Sequence, residues 1–588
     1  MRRSTVLLVL ALAGVVGLWL PPSGVSRLPE TPENILEAVE PTAAQGQTTM
    51  PVEDDPGAPP PLLPTRVGMP SLLAEMDRIL PTSRWNSARW GILVISATHG
   101  DTLLALNPAF PLAPASNAKI FTSAGALHAL GPDFRFSTFV LADGVIRDGV
   151  LLGDLILYGT GDPTVSDRGG RGGTRTLQAL ARDLRSQGIE EIRGSVVGDG
   201  TFFEGPSIHE SWNPGDLNDW FTAPVSALSF NENVATVRVI PGRNGAPPSL
   251  RTIPEGAPLA VDNRAVTVDG TRSSLLLARD HPSAPVRLEG QMGQRGGDAW
   301  RVLTVPDPAL FAASALRRAL EEEGITVRGG PRSVTTPDAS RVTGTRTWAP
   351  GLAPLVHQFP DTPGDGAVGT ASAPRVLAVV SSPPLSEILE VVNRRSHNLF
   401  AEVVLRTLGR LEHGEGSFVG GSRALSRILV EKMAVPGHAI RIVDGSGLSR
   451  DNRSSPGALV QVLDRMGRSP FHAVFASTLP EAGSPTGLQR MYRTEAAGNL
   501  KAKTGTIDRV SSLAGMVRSG DGEELLFAIL ANDVPSTAAA KRLEDQLGVQ
   551  LAAFRRPALT FTPEVLATEA PAEADVEDEE VGGSVRID

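Results

Sequence analysis

Three short motifs and the unequal distances between them constrain this chain more than any other feature of its sequence. They are S-x-x-K at Ser116–Lys119, S-x-N at Ser396–Asn398 and K-T-G at Lys503–Gly505. The first two motifs begin 280 residues apart, whereas 107 residues separate the second from the third. If all three line one cleft, most of the long interval must fold as a separate inserted body.

Each motif places the groups of a serine acyl-transfer site at a usable spacing. On a helix, Lys119 lies three residues from Ser116 on the same face, so a neutral amine there could take the proton of the serine. Ser396 and Asn398 are expected to point the same way from an extended or loop segment, because side chains alternate there. Lys503 precedes an apolar strand, and the glycine of its motif would let a substrate backbone come close.

Lysine is rare in this chain, which makes its positions informative. Only Lys119, Lys432, Lys501, Lys503 and Lys541 occur, and arginine supplies the other positive charges. An amine can lose its proton inside a protein, whereas a guanidinium cannot. Each motif alone is common by chance. However, two of the five lysines stand at the two motif positions that need an amine, which favours a functional site.

Composition excludes several other classes of function. The 588 residues are 41% hydrophobic and 20% charged, with a mean hydropathy of −0.03, which is typical of a folded globular protein. The absence of cysteine excludes disulfides, thiolate metal sites and a cysteine nucleophile. None of the nine histidines forms H-E-x-x-H, and no metal or other cofactor is expected. The net charge of −10 comes from the terminal regions, and without a basic field nucleic-acid binding is not expected.

Hydrophobic periodicity predicts strands near both ends of the chain and helices between them. Apolar runs at Trp90–Ala97 and Thr102–Leu106 predict a β-hairpin, and Ser512–Val517 with Leu525–Leu530 predicts a second. The pattern indicates an α/β (α+β) sandwich built from both ends of the chain. Helical spacing is found at Leu72–Ile79, Ser116–Leu130, Leu177–Leu184, Phe311–Leu320, Leu385–Leu408, Ala458–Met466 and Thr537–Phe554.

Several segments around the motifs resemble one known family. Pro114–Lys119, Phe134–Phe136, Gly159–Pro163, Asp444–Arg450 and Lys503–Thr506 are similar to the class C low-molecular-mass penicillin-binding proteins, the D-alanyl-D-alanine carboxypeptidase/endopeptidase family. The resemblance extends over roughly residues 70 to 555, with the motifs in the order of the family and with its long first interval. It implies a penicillin-binding-protein/β-lactamase-like transpeptidase domain, interrupted by a large inserted domain that itself carries a nested smaller domain.

The ends of the chain add three further parts to this organisation. The apolar run Val6–Leu20 follows two arginines and predicts a signal peptide or N-terminal anchor, and the acidic end predicts disorder. The predicted parts are a signal peptide or anchor (1–22), a Pro-rich linker (23–67), the catalytic domain in two pieces (68–142 and 346–561), the inserted domain or domains (143–345, with the nested piece at about 240–300) and an acidic disordered tail (562–588).

The resemblance implies a role for each motif residue. Ser116 would be the acyl-forming nucleophile and Lys119 its general base. Ser396 would relay the proton to the leaving amine, and Asn398 would hold the substrate amide. Lys503 would support the proton network and help to bind the terminal carboxylate.

Further residues are candidates for substrate binding by the same resemblance. Thr504 or Thr506 would contact the terminal carboxylate beside Gly505, and the backbone N–H groups of Thr506 and of the nucleophile would form the oxyanion hole. Asp199 resembles a residue of the inserted domain that helps to bind the free amine of a peptidoglycan stem residue, and a turn role is its alternative. Arg450 is a second candidate for contacting the stem peptide.

One residue of the motifs departs from the family pattern. His397 stands in the middle of S-x-N, where aspartate is commoner. A functional role that changes the local pH behaviour and a surface or loop position are both open for this histidine.

The expected function is that of an exported serine-type D-alanyl-D-alanine carboxypeptidase/endopeptidase, acting on peptidoglycan stem peptides in the periplasm or cell envelope and inhibited by β-lactams. The balance between the two activities stays open, as does peripheral membrane or envelope association. A β-lactamase-like hydrolase is one alternative, which the long insert and the lack of a recognisable second base disfavour. A catalytically weak murein-binding protein is another, which the intact Ser116, Lys119 and Lys503 disfavour.

Overall fold

The structure is a computed structural model that describes residues 66–80, 88–168, 172–281, 283–342 and 374–557. All of these belong to one unit, Leu63–Asp588. The predicted segments 1–22 and 562–588 lie outside the described residues, as does the linker 23–67 apart from Arg66 and Val67, which begin the first strand. Within the described ranges, no helix is long and apolar enough to cross a membrane.

The described residues form ten α-helices and 22 β-strands. The helices are α1 (Pro70–Ile79), α2 (Ala118–Leu130), α3 (Gly173–Ser186), α4 (Pro308–Glu322), α5 (Leu385–Arg394), α6 (Asn398–His413), α7 (Phe418–Glu431), α8 (Pro456–Gly467), α9 (His472–Thr478) and α10 (Thr537–Ala553). The strands are β1 (Arg66–Gly68), β2 (Arg89–Ser96), β3 (Thr102–Leu106), β4 (Ser137–Arg147), β5 (Val150–Gly159), β6 (Glu191–Ile192), β7 (Val196–Asp199), β8 (Val234–Ile240), β9 (Ser249–Ile253), β10 (Val261–Asn263), β11 (Val266–Val268), β12 (Ser274–Ala278), β13 (Val286–Gly293), β14 (Ala299–Thr304), β15 (Thr326–Val327), β16 (Arg332–Val334), β17 (Arg375–Ser381), β18 (Ile440–Arg441), β19 (Arg453–Ser454), β20 (Lys501–Ile507), β21 (Val510–Arg518) and β22 (Glu524–Asn532).

A six-stranded antiparallel sheet carries the K-T-G motif on one of its outer strands. Its order is β1–β3–β2–β22–β21–β20. The hairpins β2–β3 and β21–β22 are both present, and β2 pairs with β22 from Arg89 opposite Asn532 to Ser96 opposite Leu525. The prediction that one sheet is assembled from both ends of the chain is therefore confirmed.

The central strand β22 divides its side chains between two cores. Leu525 and Phe527 pack in the core that includes α1 and α10. Leu526 and Ala528 pack in the core that includes α2 and α5 to α9. Successive side chains of a strand point to opposite faces of the sheet. When both faces are covered, as here, all of these side chains are buried, and the strand appears in the sequence as a continuous apolar run. The helix α2 is itself buried along most of its length, which fixes the segment that follows Ser116.

One predicted helix is two helices in the structure. The prediction of a continuous helix over Leu385–Leu408 is wrong, because α5 ends at Arg394 and α6 begins at Asn398. Ser396 lies between them with φ of 51°, in the left-handed region that ends a helix. Apolar periodicity does not reveal this break, because both helices bury an apolar face in the same core.

A seven-stranded sheet lies between the first two motifs in sequence. Its order is β15–β6–β5–β4–β17, and β7 pairs with both β5 and β16. Together with α3 and α4 it encloses a second core. β4 runs across the predicted boundary at residue 143, and its partner β17 lies beyond residue 345. The sheet thus takes strands from both sides of the predicted limits, which themselves stay a prediction.

Shorter strands form two further sheets between residues 234 and 304. β8 pairs with β9 and β14, and β13 pairs with β10, β11 and β12. They share a small core of their own, which includes Val237, Val286, Leu288 and Leu303. This is the segment in which the nested piece is predicted.

Candidate active site

Ser116 lies in a short, tightly held turn at the start of a buried helix. A single 3₁₀ turn spans Ala115–Asn117, and α2 begins at the next residue. The segment just before it is fixed from the sheet. The side-chain amide of Asn532 both accepts from and donates to the backbone of Ala113, at 2.8 and 3.0 Å, and Ser512 Oγ donates to the Pro114 carbonyl at 2.7 Å. The serine is partly exposed on a rigid support.

Lys119 is a buried amine in direct contact with that serine. Its Nζ lies 3.0 Å from Ser116 Oγ, 2.7 Å from Asn398 Oδ1 and 2.7 Å from the Ser446 carbonyl oxygen. The two carbonyl oxygens can only accept, so they take two N–H groups of the amine. A neutral amine then has its lone pair left for the hydroxyl of Ser116. Burial lowers the pKa of Lys119 to about 7, against the charges of Glu402 and Asp444, so the neutral form is accessible near neutral pH.

The S-x-N motif contacts both motif lysines. Ser396 Oγ lies 2.9 Å from Lys503 Nζ, while Asn398 accepts from Lys119 and donates through Nδ2 to the Phe221 carbonyl at 2.9 Å. The prediction that both side chains leave an extended or loop segment holds for Ser396 and is wrong for Asn398, which begins α6. The two side chains reach one site because Ser396 takes a left-handed backbone conformation just before the helix.

Lys503 is the second buried amine of the site. Besides Ser396 it contacts its own strand, since its Nζ donates to the Thr504 carbonyl at 2.7 Å. Burial lowers the pKa of Lys503 well below its usual value, and the nearby charge of Lys119 acts in the same direction. Two buried lysines therefore face two partly exposed serines, which is an arrangement suited to passing protons between oxygen and nitrogen.

Gly505 allows the nucleophile turn to pack against the K-T-G strand. A β-carbon at this position would lie 2.8 Å from the Pro114 carbonyl oxygen and 3.0 Å from Ser116 N. The chain's own turn thus approaches this glycine closely, and the approach of a substrate backbone at Gly505 stays a prediction. Thr504 is partly exposed and Thr506 is exposed. Both lie on β20, which is the last strand in the order of the six-stranded sheet.

A tight loop supplies the carbonyl that holds Lys119. The carboxylate of Asp444 shapes this loop by accepting four hydrogen bonds, from the backbone N–H of Gly447 and Ser449 and the side chains of Asn452 and Trp212. Gly447 has φ of 81°, and a β-carbon there would lie 1.8 Å from the Ala115 carbonyl oxygen. The loop therefore lies directly against the turn that carries the nucleophile.

Gly447→Ala is expected to slow acylation of Ser116 about tenfold or more, because the new methyl group must displace the nucleophile turn. Gly131→Ala is the matched control, since Gly131 has φ of 77° but open space where the methyl group would lie. The control should cost about 1 to 2 kcal/mol of unfolding free energy from the left-handed conformation alone. Thermal melts and labelling rates with a fluorescent penicillin measure both effects. Equal labelling rates for the two variants would contradict this role of Gly447.

The two remaining candidates for substrate binding, Asp199 and Arg450, differ in their surroundings. Asp199 is buried at the end of β7, where Oδ1 accepts from the N–H and hydroxyl of Thr201 at 2.9 and 2.6 Å and Oδ2 accepts from Ser340 Oγ at 2.6 Å. Burial raises the pKa of Asp199. These bonds support the turn interpretation. Arg450 is half exposed and contacts Asp508, which follows the K-T-G strand, so it lies beside that strand.

His397 is buried rather than on the surface. Its Nε2 lies 3.1 Å from Glu232 Oε2, and Glu232 also pairs with Arg168 at 3.0 Å and Arg395 at 3.5 Å. Burial lowers the pKa of His397, while its bond to Glu232 acts in the opposite direction. Burial alone would raise the pKa of Glu232, but the bond from His397 and the charges of the two arginines lower this pKa to about 2. The surface alternative is therefore wrong, whereas the loop alternative is right, because His397 lies in the short loop between α5 and α6. From this loop the histidine anchors S-x-N to the segment around residue 232.

The motif analysis missed one charged residue of this site. Glu402 is fully buried on α6 and contacts the loop that holds Lys119. The signal in the sequence was its position four residues after Asn398, as the one charged residue of the otherwise apolar stretch Leu399–Leu405, since residues at this spacing share one helix face. In the part of the chain that the structure describes, no group of three or more His, Asp or Glu side chains could hold a metal ion.

Most of this chain is similar to known proteins of one family. The profile of the D-Ala-D-Ala carboxypeptidase 3 (S13) family matches residues 72–361 and 364–554. The D-alanyl-D-alanine carboxypeptidase of Actinomadura sp. (strain R39) is 30% identical over 500 residues, covering 82% of this chain and 85% of the relative. The D-alanyl-D-alanine carboxypeptidase DacB of Haemophilus influenzae is 25% identical over 448 residues, covering 75% and 85%.

A solved structure shows the same fold. Penicillin-binding protein 4 (dacB) from Haemophilus influenzae superposes with a TM-score of 0.65 at 23% identity, covering 83% of this chain and all of the other. The predicted penicillin-binding-protein-like architecture, with helices and several sheets, is confirmed by this match.

Proposed function

Since the chain belongs to the D-Ala-D-Ala carboxypeptidase 3 (S13) family of serine-type hydrolases, we propose that Ser116 is the nucleophile with which it cleaves D-Ala-D-Ala ends of peptidoglycan stem peptides. One observation carries this assignment. Ser116 Oγ lies 3.0 Å from the Nζ of Lys119, a fully buried amine whose other two contacts are carbonyl oxygens. Such an amine can act as a base at neutral pH.

Acylation begins when Ser116 Oγ attacks the carbonyl carbon of the penultimate D-alanine. The hydroxyl proton passes to Lys119. The negative charge that develops on the carbonyl oxygen is stabilised by hydrogen bonds from the backbone N–H groups of Ser116 and Thr506. As the C–N bond breaks, its electron pair stays on the nitrogen of the terminal D-alanine. That nitrogen takes a proton from Ser396 Oγ, which regains one through Lys503 from the protonated Lys119. Water then hydrolyses the ester and restores Ser116.

The K-T-G strand is the proposed binding edge for the substrate. β20 is the last strand in the order of the six-stranded sheet, and residues 480–482 pair with its beginning at Lys501 and Ala502, so an extended peptide would pair along the part from Lys503 onward. Thr504 and Thr506, together with Lys503, bind the terminal carboxylate. The half-exposed guanidinium of Arg450 lies beside the end of this strand and contacts a more distant part of the stem peptide. Asp199 stays a second, weaker candidate, because its carboxylate is engaged within the protein.

The same chemistry serves a carboxypeptidase and an endopeptidase. In the first, the leaving amine belongs to free D-alanine, and in the second it belongs to the side chain of a neighbouring stem peptide. β-Lactams acylate the same serine because they imitate the D-Ala-D-Ala end. The protein acts outside the cytoplasm, in the periplasm or cell envelope, where peptidoglycan lies, and the apolar run at its N-terminus directs its export or anchors it.

The test of this function is release of D-alanine from a stem pentapeptide that ends in D-Ala-D-Ala. We expect release that penicillin blocks and that a chelator such as EDTA leaves unchanged, because every proposed step uses side chains and water. The same peptide ending in L-Ala is the control and should stay intact. No D-alanine release, together with rapid hydrolysis of penicillin, would instead identify a β-lactamase.

A further inference from the structure

The helix α6 aligns three buried polar side chains that follow one another at four-residue spacing. Asn398, Glu402 and Arg406 therefore share one face of the helix. Asn398 accepts from Lys119. Arg406 donates to the carbonyl oxygens of Glu204 and Gly416, among others, and joins the helix to those segments. The mechanism above gives no task to Glu402, which lies between them.

Glu402 holds the backbone segment that immediately precedes the carbonyl in contact with the proposed base. Its Oε2 accepts from the N–H of Gly445 at 2.9 Å, and its Oε1 accepts from the N–H of Ser446 at 2.8 Å. The carbonyl oxygen of Ser446 in turn accepts from Lys119 Nζ at 2.7 Å. A continuous path of three hydrogen bonds thus runs from the carboxylate through one backbone segment to the amine.

The charged groups around Glu402 are few and come from three elements. Lys119 faces it from α2, Asp444 from the loop after β18, and Arg406 from its own helix. Lys503 of β20 faces Lys119 from the other side. No salt bridge to Glu402 occurs among the described residues. A carboxylate is costly to bury, and a neutral acceptor such as an amide oxygen could accept from a backbone N–H with a smaller desolvation cost. A structural role alone does not require a charge at this position.

We propose that Glu402 is a positioning residue for acylation. It fixes the Gly445–Ser446 segment so that the Ser446 carbonyl holds the amine of Lys119 beside Ser116, and its negative charge acts on that amine through the buried interior. This inference rests on the proposed function, because it assigns Glu402 to the same acyl transfer.

The electrostatics of the pair agree with this arrangement. The charge of Glu402 raises the pKa of Lys119, against the larger effect of burial. Burial and the neighbouring Asp444 raise the pKa of Glu402 to about 8, although the bonds from Ser446 and Gly445 act in the opposite direction. Both of its oxygens accept N–H groups, which is the arrangement that an ionised carboxylate prefers. Removing the charge is therefore expected to make Lys119 easier to deprotonate.

Glu402→Gln tests the proposal through the pH dependence of acylation. In the wild type, the rate should fall below about pH 7, because Lys119 then holds a proton. In E402Q, this acid limb should move to lower pH by about one unit, because the negative charge that favoured the protonated amine is gone. The rate on the plateau should fall about tenfold, since the amide NH₂ faces a backbone N–H and leaves it unpaired.

The measurement is the second-order rate of labelling by a fluorescent penicillin from pH 5 to pH 9, for folded proteins checked by thermal melts. Glu544→Gln is the matched control. Glu544 is also fully buried, but it accepts from Ser511 Oγ at 2.6 Å and pairs with Arg490 at 3.2 Å, away from Lys119. E544Q should leave the acid limb where it is in the wild type.

A folded E402Q with an unmoved acid limb overturns the proposal whatever its rate, because a structural residue would lower the rate without moving the limb. Glu402→Asp decides the matter if E402Q does not fold. The shorter carboxylate keeps the charge but cannot reach both N–H groups. The acid limb of E402D should therefore stay in place while its acylation rate falls. A wild-type acylation rate for E402D would overturn the positioning role. If the proposed function itself were wrong, the wild-type protein would show no labelling.

Discussion

Ser116→Ala is expected to abolish the covalent penicillin adduct completely. The acyl group must be carried by an oxygen that is both accessible and beside a base, and Ser116 Oγ, 3.0 Å from Lys119 Nζ, meets both conditions. Mass spectrometry of the intact protein should show one adduct per chain in the wild type, and peptide mapping should place it on the peptide that contains Ser116. The adduct should turn over slowly.

Ser396→Ala is the matched control for this experiment. Ser396 is the other partly exposed serine that contacts a motif lysine, with its Oγ 2.9 Å from Lys503 Nζ. Its removal should slow labelling but leave the adduct on the Ser116 peptide, because its oxygen passes protons and does not carry the acyl group. An adduct that survives Ser116→Ala, at any serine, would contradict the assignment of the nucleophile.

Lys119→Arg is expected to lower the acylation rate by about 10² to 10⁴, which corresponds to roughly 3 to 5 kcal/mol of barrier. Arginine keeps the positive charge and most of the apolar stem, so an ion-pairing role would largely survive. It stays protonated and cannot accept the proton of Ser116, so a general-base role would not. The rate is measured with a fluorescent penicillin on protein that melts near the wild-type temperature.

Lys432→Arg controls for the substitution itself. Lys432 is exposed at the end of α7, so its replacement should change neither the rate nor the melting temperature. A folded Lys119→Arg that kept more than about a tenth of the wild-type rate would show a smaller loss than a general base contributes. Lys119 would then not be the base. The assignment would then move to Lys503, the other buried lysine of the site.

Much of the candidate site could be predicted from short-range rules. The contact between Ser116 and Lys119 was predicted from helical spacing, because residues i and i+3 lie on one face, and it is present although Ser116 lies in a 3₁₀ turn just before α2. The apolar runs near both ends of the chain predicted the strands of the two hairpins, because every side chain of a strand that is covered on both faces is apolar. The scarcity of lysine then indicated which motif matches had chemical meaning.

Other features of the site could not be predicted because they depend on contacts between distant segments. The break at Ser396 has no signature in the apolar pattern, since both helices that flank it bury an apolar face in one core. His397 was open between a functional role and a surface or loop position, and only the tertiary structure shows that it is a buried loop residue in contact with Glu232, 165 residues earlier. Gly505 was assigned to the substrate, and only the tertiary structure shows that the turn around Ser116 approaches it closely.

The sequence by itself determined which groups carry the chemistry. S-x-x-K, S-x-N and K-T-G, their order and their intervals are local properties, and they sufficed to indicate an activated serine in an interrupted domain. Only the tertiary structure decided how the two lysines lose their protons. Nothing in the neighbours of Lys119 along the chain lowers its pKa, whereas burial among α2, α6 and the loop around Ser446 does so by removing water from the amine. The role of Glu402 likewise depends on the tertiary structure, because only folding places this residue against the loop around Ser446.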